Sequence, residues 1–112
     1  MIRVAVASSD GKVVNQHFGR AKQFLIFEIV EDHFQFLEIR YTSPACTGQD
    51  HREGQMSQTI EMLADCRAVF VSQIGPGASE KLLAKGIVPY RIANFIEEAI
   101  KEWMVIEGLS FD

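Results

Sequence analysis

The chain opens on an alternation: Ile2, Val4 and Val6 interleave with Arg3, Ala5 and Ala7. A period of two with small residues on the second face predicts a central strand covered on both sides. Phe24 to Val30 and Phe34 to Tyr41 are rich in β-branched and aromatic residues, with Glu31-Asp32 suited to a tight reversal between them. They predict an antiparallel hairpin. After Pro44 the period lengthens, and Met56, Ile60 and Leu63, with Thr59 beside them, fall at the i, i+4, i+7 spacing of one helix face. Asp50 and Glu53 have the spacing of a capping box for that helix, weakened by Gly54.

Ala68 to Ile74 is a nearly continuous apolar run, as expected of a strand buried on both faces in a parallel environment. Gly75-Pro76-Gly77 breaks it, and Ala78, Leu82 and Leu83 with Gly86 as a stop predict a short helix. Ile87 to Ile92 reads as a last strand, assigned to a sheet edge because Pro89 lacks a ladder donor. Asn94 and Glu97 then predict the cap of a final helix with Ile96, Ala99, Ile100 and Trp103 on one face. The order βββαβαβα, closed by right-handed crossovers, gives an α/β fold with a five-stranded mixed sheet of order 3-2-1-4-5 and helices on both faces. That is the ribonuclease H-like arrangement. Without repeats, low-complexity tracts or linkers, residues 1–112 read as one domain.

Composition narrows the function classes. A formal net charge of −4 and the lack of any Lys/Arg block argue against a nucleic-acid surface, whose affinity comes largely from phosphate neutralisation. No apolar stretch approaches the roughly 20 residues needed to cross a bilayer. Cys46 and Cys66 follow no paired spacing, and no signal-peptide pattern opens the chain, so a reduced, cytoplasmic protein is expected.

Chemistry concentrates in the long polar connector SSDGKVVNQHFGR, Ser8 to Arg20. A connector of that length in a small domain is more often functional than idle. His17 is a candidate metal ligand, Gly19 permits close backbone approach, and Arg20 with Lys22 supplies positive charge for an anionic ligand. The alternative is a loop histidine bonded to nearby backbone, with Phe18 plugging the core. Cys46 and His51 lie at the expected start of the first helix, where the dipole favours thiolate and neutral imidazole, the forms that bind metal. C-x4-H falls short of a four-ligand structural zinc site, and an ordinary loop cysteine and solvated histidine are the other reading.

Three further features read as structural. Cys66 directly precedes the buried strand and is assigned to the core. Gly75 to Glu80 lacks the third glycine of a dinucleotide fingerprint and reads as a tight turn. The carboxylates of a two-metal nuclease are missing from the first strand: Asp10 and Asp65 fall outside strands, and Glu28 and Glu38 read as a solvated cross-strand pattern.

Three stretches, Val4 to Ile29 with its His-Phe-Gly-Arg-Ala run, ACTGQDH from Ala45 to His51, and Leu63 to Ile87, together resemble the dinitrogenase iron-molybdenum cofactor-binding family, which includes NifX, NafY and the C-terminal domain of NifB. The resemblance implies a domain that binds iron-molybdenum cofactor, or its iron-sulfur precursor, and carries it between assembly proteins or to an apo-nitrogenase-like acceptor. It implies His17 as cluster ligand, with Cys46 and His51 as further ligands, and Arg20 as counter-charge. The chain has neither the C-x3-C-x2-C of a radical-SAM domain nor the additional N-terminal domain of the NafY members. The expectation is therefore a non-catalytic metallocluster carrier. Two other readings stand beside it: a metal-free interaction or regulatory module on the same fold, and a small hydrolase using His17 as base. The last lacks an evident nucleophile with a positioned base.

Overall fold

β1 (Ile2–Ala7) lies at the centre of the sheet, pairing antiparallel with β2 (Gln23–Val30) and parallel with β4 (Ala68–Val71). The computed structural model describes residues 2–42 and 52–108. β3 (His33–Tyr41) flanks β2, and β5 (Val88–Arg91) flanks β4, giving the expected order β3-β2-β1-β4-β5. Helices α1 (Arg52–Met62), α2 (Pro76–Ala84) and α3 (Ile96–Ile106) cover the two faces. None of the described helices is long and apolar enough to cross a membrane.

The alternation in β1 sorts the core into two layers. Ala5 and Ala7 face α1 and α2 and pack with Phe24, Ile26, Val69, Val71, Ile60, Leu63 and Leu82. Val4 and Val6 face α3 and pack with Leu25, Ile29, Phe70, Ile100 and Trp103. Small residues on the first face leave room for Phe18 and Phe24, whose rings meet with centroids 5.7 Å apart. Cys66 is buried in that layer as expected, and burial pushes its thiol up to about 12, which keeps it protonated and inert.

Element ends differ from the sequence pattern where tertiary contacts supply hydrogen-bond partners. The strand expected over Ala68 to Ile74 stops at Val71, because Ser72 and Gln73 turn to the connector: Ser72 donates to the Gln16 carbonyl at 2.9 Å, and Phe18 donates to Gln73 at 2.9 Å. Gly75-Pro76-Gly77 is not a separate turn but the start of α2, with Gly75 as N-cap and Pro76 in the first helical position, where its missing N–H costs nothing. Gly86 ends α2 as expected. With φ at +83° it lets Ile87 donate to Leu82 and Gly86 to Leu83, a Schellman closure.

The expected Asn94–Glu97 cap of α3 does not form, and the N-cap is Phe95. The Ile96 N–H is taken by the Lys12 carbonyl at 2.8 Å, and Asn94 Oδ1 accepts instead from the Phe95 N–H. A carbonyl from a distant loop has replaced the local side-chain cap. Pro89 does sit in an edge strand, as its missing donor requires.

Glu28 departs from the solvated pattern expected of it, being buried beside Arg3 at 3.5 Å. The pair belongs to a charge network that latches α1 to the sheet. Arg40 on β3 grips Asp65 with two bonds of 2.7 and 2.9 Å, Arg3 on β1 adds a third at 2.7 Å, and Arg40 also donates to the Met62 carbonyl at the end of α1. Glu38 accepts from Arg40 Nε at 2.7 Å. The two guanidiniums hold the Asp65 carboxyl well below the usual carboxylate range.

A depressed folded-state value stabilises the fold above the ordinary carboxylate range, and this stabilisation is lost as pH falls toward the folded value. Asp65→Asn is expected to cost about 1 kcal/mol at neutral pH, the partial exposure of the network screening the rest. Urea denaturation should show the gap from wild type narrowing progressively below about pH 4. A gap independent of pH would remove the ionic contribution.

Candidate functional site

The connector after β1 is anchored at both ends. Ser8 is fully buried, and its hydroxyl accepts the Gly11 N–H at 2.9 Å. Asp10 Oδ1 accepts the N–H groups of Lys12 and Val13 at 2.9 and 3.2 Å, which lowers the Asp10 carboxyl from its ordinary value. Asp10 is thus a turn-former, consistent with its place outside the strands. Asn15 and Gln16 then return to the end of β1, both donating to the Ala7 carbonyl at 3.3 Å.

From there the chain runs parallel to Ser72–Gln73, with a bridge between His17 and Gln73. Phe18, Gly19 and Arg20 form one turn of 3-10 helix with His17 as N-cap, and Arg20 donates to the His17 carbonyl at 3.0 Å. Phe18 is buried in the layer under α1 and α2, while His17, Gly19 and Arg20 are exposed. One side chain fastens the turn, and its neighbours present their groups outward. Phe18 does plug the core, and its anchoring fixes the turn from which His17 and Arg20 face outward.

These residues border an open cleft of about 550 Å³, within the size range of small-ligand sites. His17, Phe18, Gly19, Arg20 and Ala21 form one wall, Met56 and Thr59 of α1 a second, and Gln73, Ile74 and Gly75 a third. The cleft lies beyond the carboxyl ends of the parallel strands β1 and β4, beside the N-terminus of α2. Ligands of open α/β sheets gather in that position. Among the described residues no Asp or Glu lines it, and the Arg20 guanidinium borders it beside the His17 imidazole. A Cβ placed on Gly19 would meet nothing within 4 Å, and its φ lies outside the left-handed region. Among the described residues neither packing nor backbone geometry demands glycine there. The close approach that the sequence suggested is therefore open, because no described residue uses it.

Cys46 and His51 lie outside the described residues. Thr42 donates its N–H to Lys22 at 3.0 Å and its hydroxyl to Ala21, and α1 carries Met56 and Thr59. Among the described residues no group of three or more His, Cys, Asp or Glu could hold a metal ion. The third wall, Gln73 to Gly75, was missed in sequence; its signal was an apolar parallel strand running into Gly-Pro at a helix start.

The strand order and helices define an α/β domain of ribonuclease H-like arrangement with an open cleft beyond the carboxyl ends of its parallel strands. The family model described as "Dinitrogenase iron-molybdenum cofactor" matches residues 1–105, and the chain belongs to that family. It is similar to the FeMo cofactor biosynthesis protein NifB of Frankia alni, 39% identical over 91% of this chain and 21% of that protein. It is also similar to the protein NifX of Azotobacter vinelandii, 31% identical over 84% of this chain and 58% of that protein. The chain thus spans about a fifth of NifB and somewhat over half of this NifX. Among solved structures, the apo form of the orange protein from Desulfovibrio gigas shares the fold, with a TM-score of 0.64 and 20% identity over 97% of this chain and 90% of that one.

Two substitutions separate anchor from wall. Phe18→Ala is expected to cost about 3–5 kcal/mol in chemical denaturation, as a buried aromatic truncation. Gly19→Ala should leave stability within about 0.5 kcal/mol of wild type, since no atom or strained angle opposes the methyl. A large loss in Gly19→Ala would mean that the glycine serves the fold and not the cleft.

Proposed function

We propose that this chain is a non-catalytic carrier of an anionic iron-sulfur or iron-molybdenum-type cluster, acting in the biosynthesis of a nitrogenase-type cofactor. The observation that supports it most is the cleft: a chain of net charge −4 opens a pocket walled by His17, Gly19 and Arg20, with no described carboxylate among its lining residues. Such a pocket favours an anionic cargo with an open coordination position. Kinship to NifB and NifX supports the choice of cargo.

In this reading His17 coordinates the cluster, Arg20 offsets its charge, and the bare surface at Gly19 receives it. Cys46 and His51 add ligands from the segment between Thr42 and Arg52. A ligand set short of saturation suits a carrier, because the cluster must pass to a second protein by ligand exchange. The donor and acceptor are cluster-assembly proteins or an apo-nitrogenase-like acceptor.

Anaerobic incubation of the protein with iron and sulfide, or with a cofactor precursor, tests the proposal by visible absorption and electron paramagnetic resonance. Wild type is expected to acquire a bound chromophore. His17→Ala should weaken binding by at least about tenfold, the loss usual when a ligand's own support is removed. Arg20→Gln should weaken binding in a salt-dependent way, and Cys46→Ala or His51→Ala should alter the spectrum. A wild-type protein that stays colourless and silent overturns the reading, and a His17→Ala variant with unchanged affinity moves the site elsewhere.

A further inference from the structure

We propose that a second pocket, on the α3 side of the sheet, receives an arginine side chain of a partner protein. The pocket measures about 450 Å³ and is walled by Phe27 and Phe34 from the sheet, by Phe95, Glu97 and Glu98 at the start of α3, and by Lys12 of the connector. Its size suits a small ligand or one large side chain. The cleft described above lies on the α1 and α2 side, and the second pocket does not depend on the cargo proposed for it.

The sheet and the connector build this pocket together. Phe27 on β2 packs against the α3 layer, and the Phe34 ring stands edge-on to it with centroids 6.2 Å apart. The connector stitches the start of α3 to the sheet: Val13 bridges Phe95, Val14 donates to the Asn94 carbonyl at 3.0 Å, and Ile96 donates to the Lys12 carbonyl at 2.8 Å. Phe95 is the N-cap of α3 and is 59% exposed. Helices favour a short polar side chain at that position, and a phenyl ring offers the first-turn N–H groups no acceptor. Glu97 and Glu98 are exposed, and neither has an ion-pair partner among the described residues.

Rings and charge together select the occupant. An apolar side chain seated here would crowd two carboxylates without pairing them, which is unfavourable. A guanidinium satisfies both features: its flat face lies on an aromatic ring, and its N–H groups donate to carboxylates. The Lys12 ammonium opposes an incoming cation, but two glutamates outnumber it, and the chain's net charge of −4 favours the approach of a basic partner. The Lys12 backbone carbonyl, not its side chain, holds Ile96. Phe36, 52% exposed and edge-on to Phe27 at 5.8 Å, extends the aromatic surface past the pocket. Residues flanking the arginine in a protein cover that ring, whereas a free cation leaves it bare.

Titration of isotope-labelled protein with N-acetylarginine amide, and with the acetylated tripeptide amide Ala-Arg-Ala, tests the proposal through amide chemical shifts. Wild type is expected to show saturable shifts at Lys12 and from Phe95 to Glu98, with the tripeptide binding at least as tightly as the single residue. Both affinities should fall as salt is added. Glu97→Gln combined with Glu98→Gln should weaken binding about fivefold, and Phe95→Ala about threefold, while Lys12→Gln should strengthen it about twofold. If the paired glutamine substitutions alter the far-UV spectrum, the gain in Lys12→Gln decides. The proposal is overturned by a wild type without saturable shifts, by equal binding of the uncharged N-acetylnorleucine amide, or by exclusion of the tripeptide. Affinity unchanged in Lys12→Gln overturns it as well. So do concentration-dependent shifts at the same amides without any probe, which assign the pocket to a second copy of the chain.

Discussion

The arrangement depends on β1, the strand shared by the antiparallel meander and the parallel crossover units. It pairs antiparallel with β2 over its whole length and parallel with β4, and its alternate side chains divide the core between two layers. Valines on the α3 side fill the gap under one helix with branched side chains. Alanines on the other side leave space that large residues from elsewhere must fill, and Phe24 and Phe18 fill it. A bulky residue at Ala5 or Ala7 would compete with those rings for volume in the same layer.

That division explains why the connector can be long and still positioned. It leaves β1 at Ala7, closes on itself through Ser8 and Asp10, returns to the Ala7 carbonyl, and is pinned where Phe18 enters the alanine-floored layer. The polar groups of His17 and Arg20 are thereby held on a rigid scaffold although they sit in a loop. At the far end of the same layer Asp65, between Arg3 and Arg40, ties the end of α1 to β1 and β3. The cleft wall formed by Met56 and Thr59 is thus carried by a helix fixed to the sheet at its other end.

Surface features divide accordingly. The cleft opens at the carboxyl ends of the parallel strands, on the side of α1 and α2. The exposed apolar residues of β3 line the opposite edge from β5, with Ile39 and Tyr41 on the α3 side. The cleft and the exposed residues of β3 therefore lie on different surfaces of the domain.

Strand order, helix faces and the core position of Cys66 were legible in sequence because they follow from periodicity, and the burial of one face leaves each period a single solution. His17, Gly19 and Arg20 were legible as candidates because their chemistry is unusual for an idle connector. Other features depended on partners distant along the chain. β4 stops at Val71 because the connector competes for Ser72 and Gln73. α3 begins without a side-chain cap because the Lys12 carbonyl meets Ile96. Glu28 is buried because Arg3 lies across from it. The cleft itself belongs to this second group, since its three walls come from residues 17–21, 56–59 and 73–75, and no local pattern records which of them will meet. Periodicity is a property of one segment and determines the elements; hydrogen-bond partners and cavities are properties of pairs, and only the folded chain decides them.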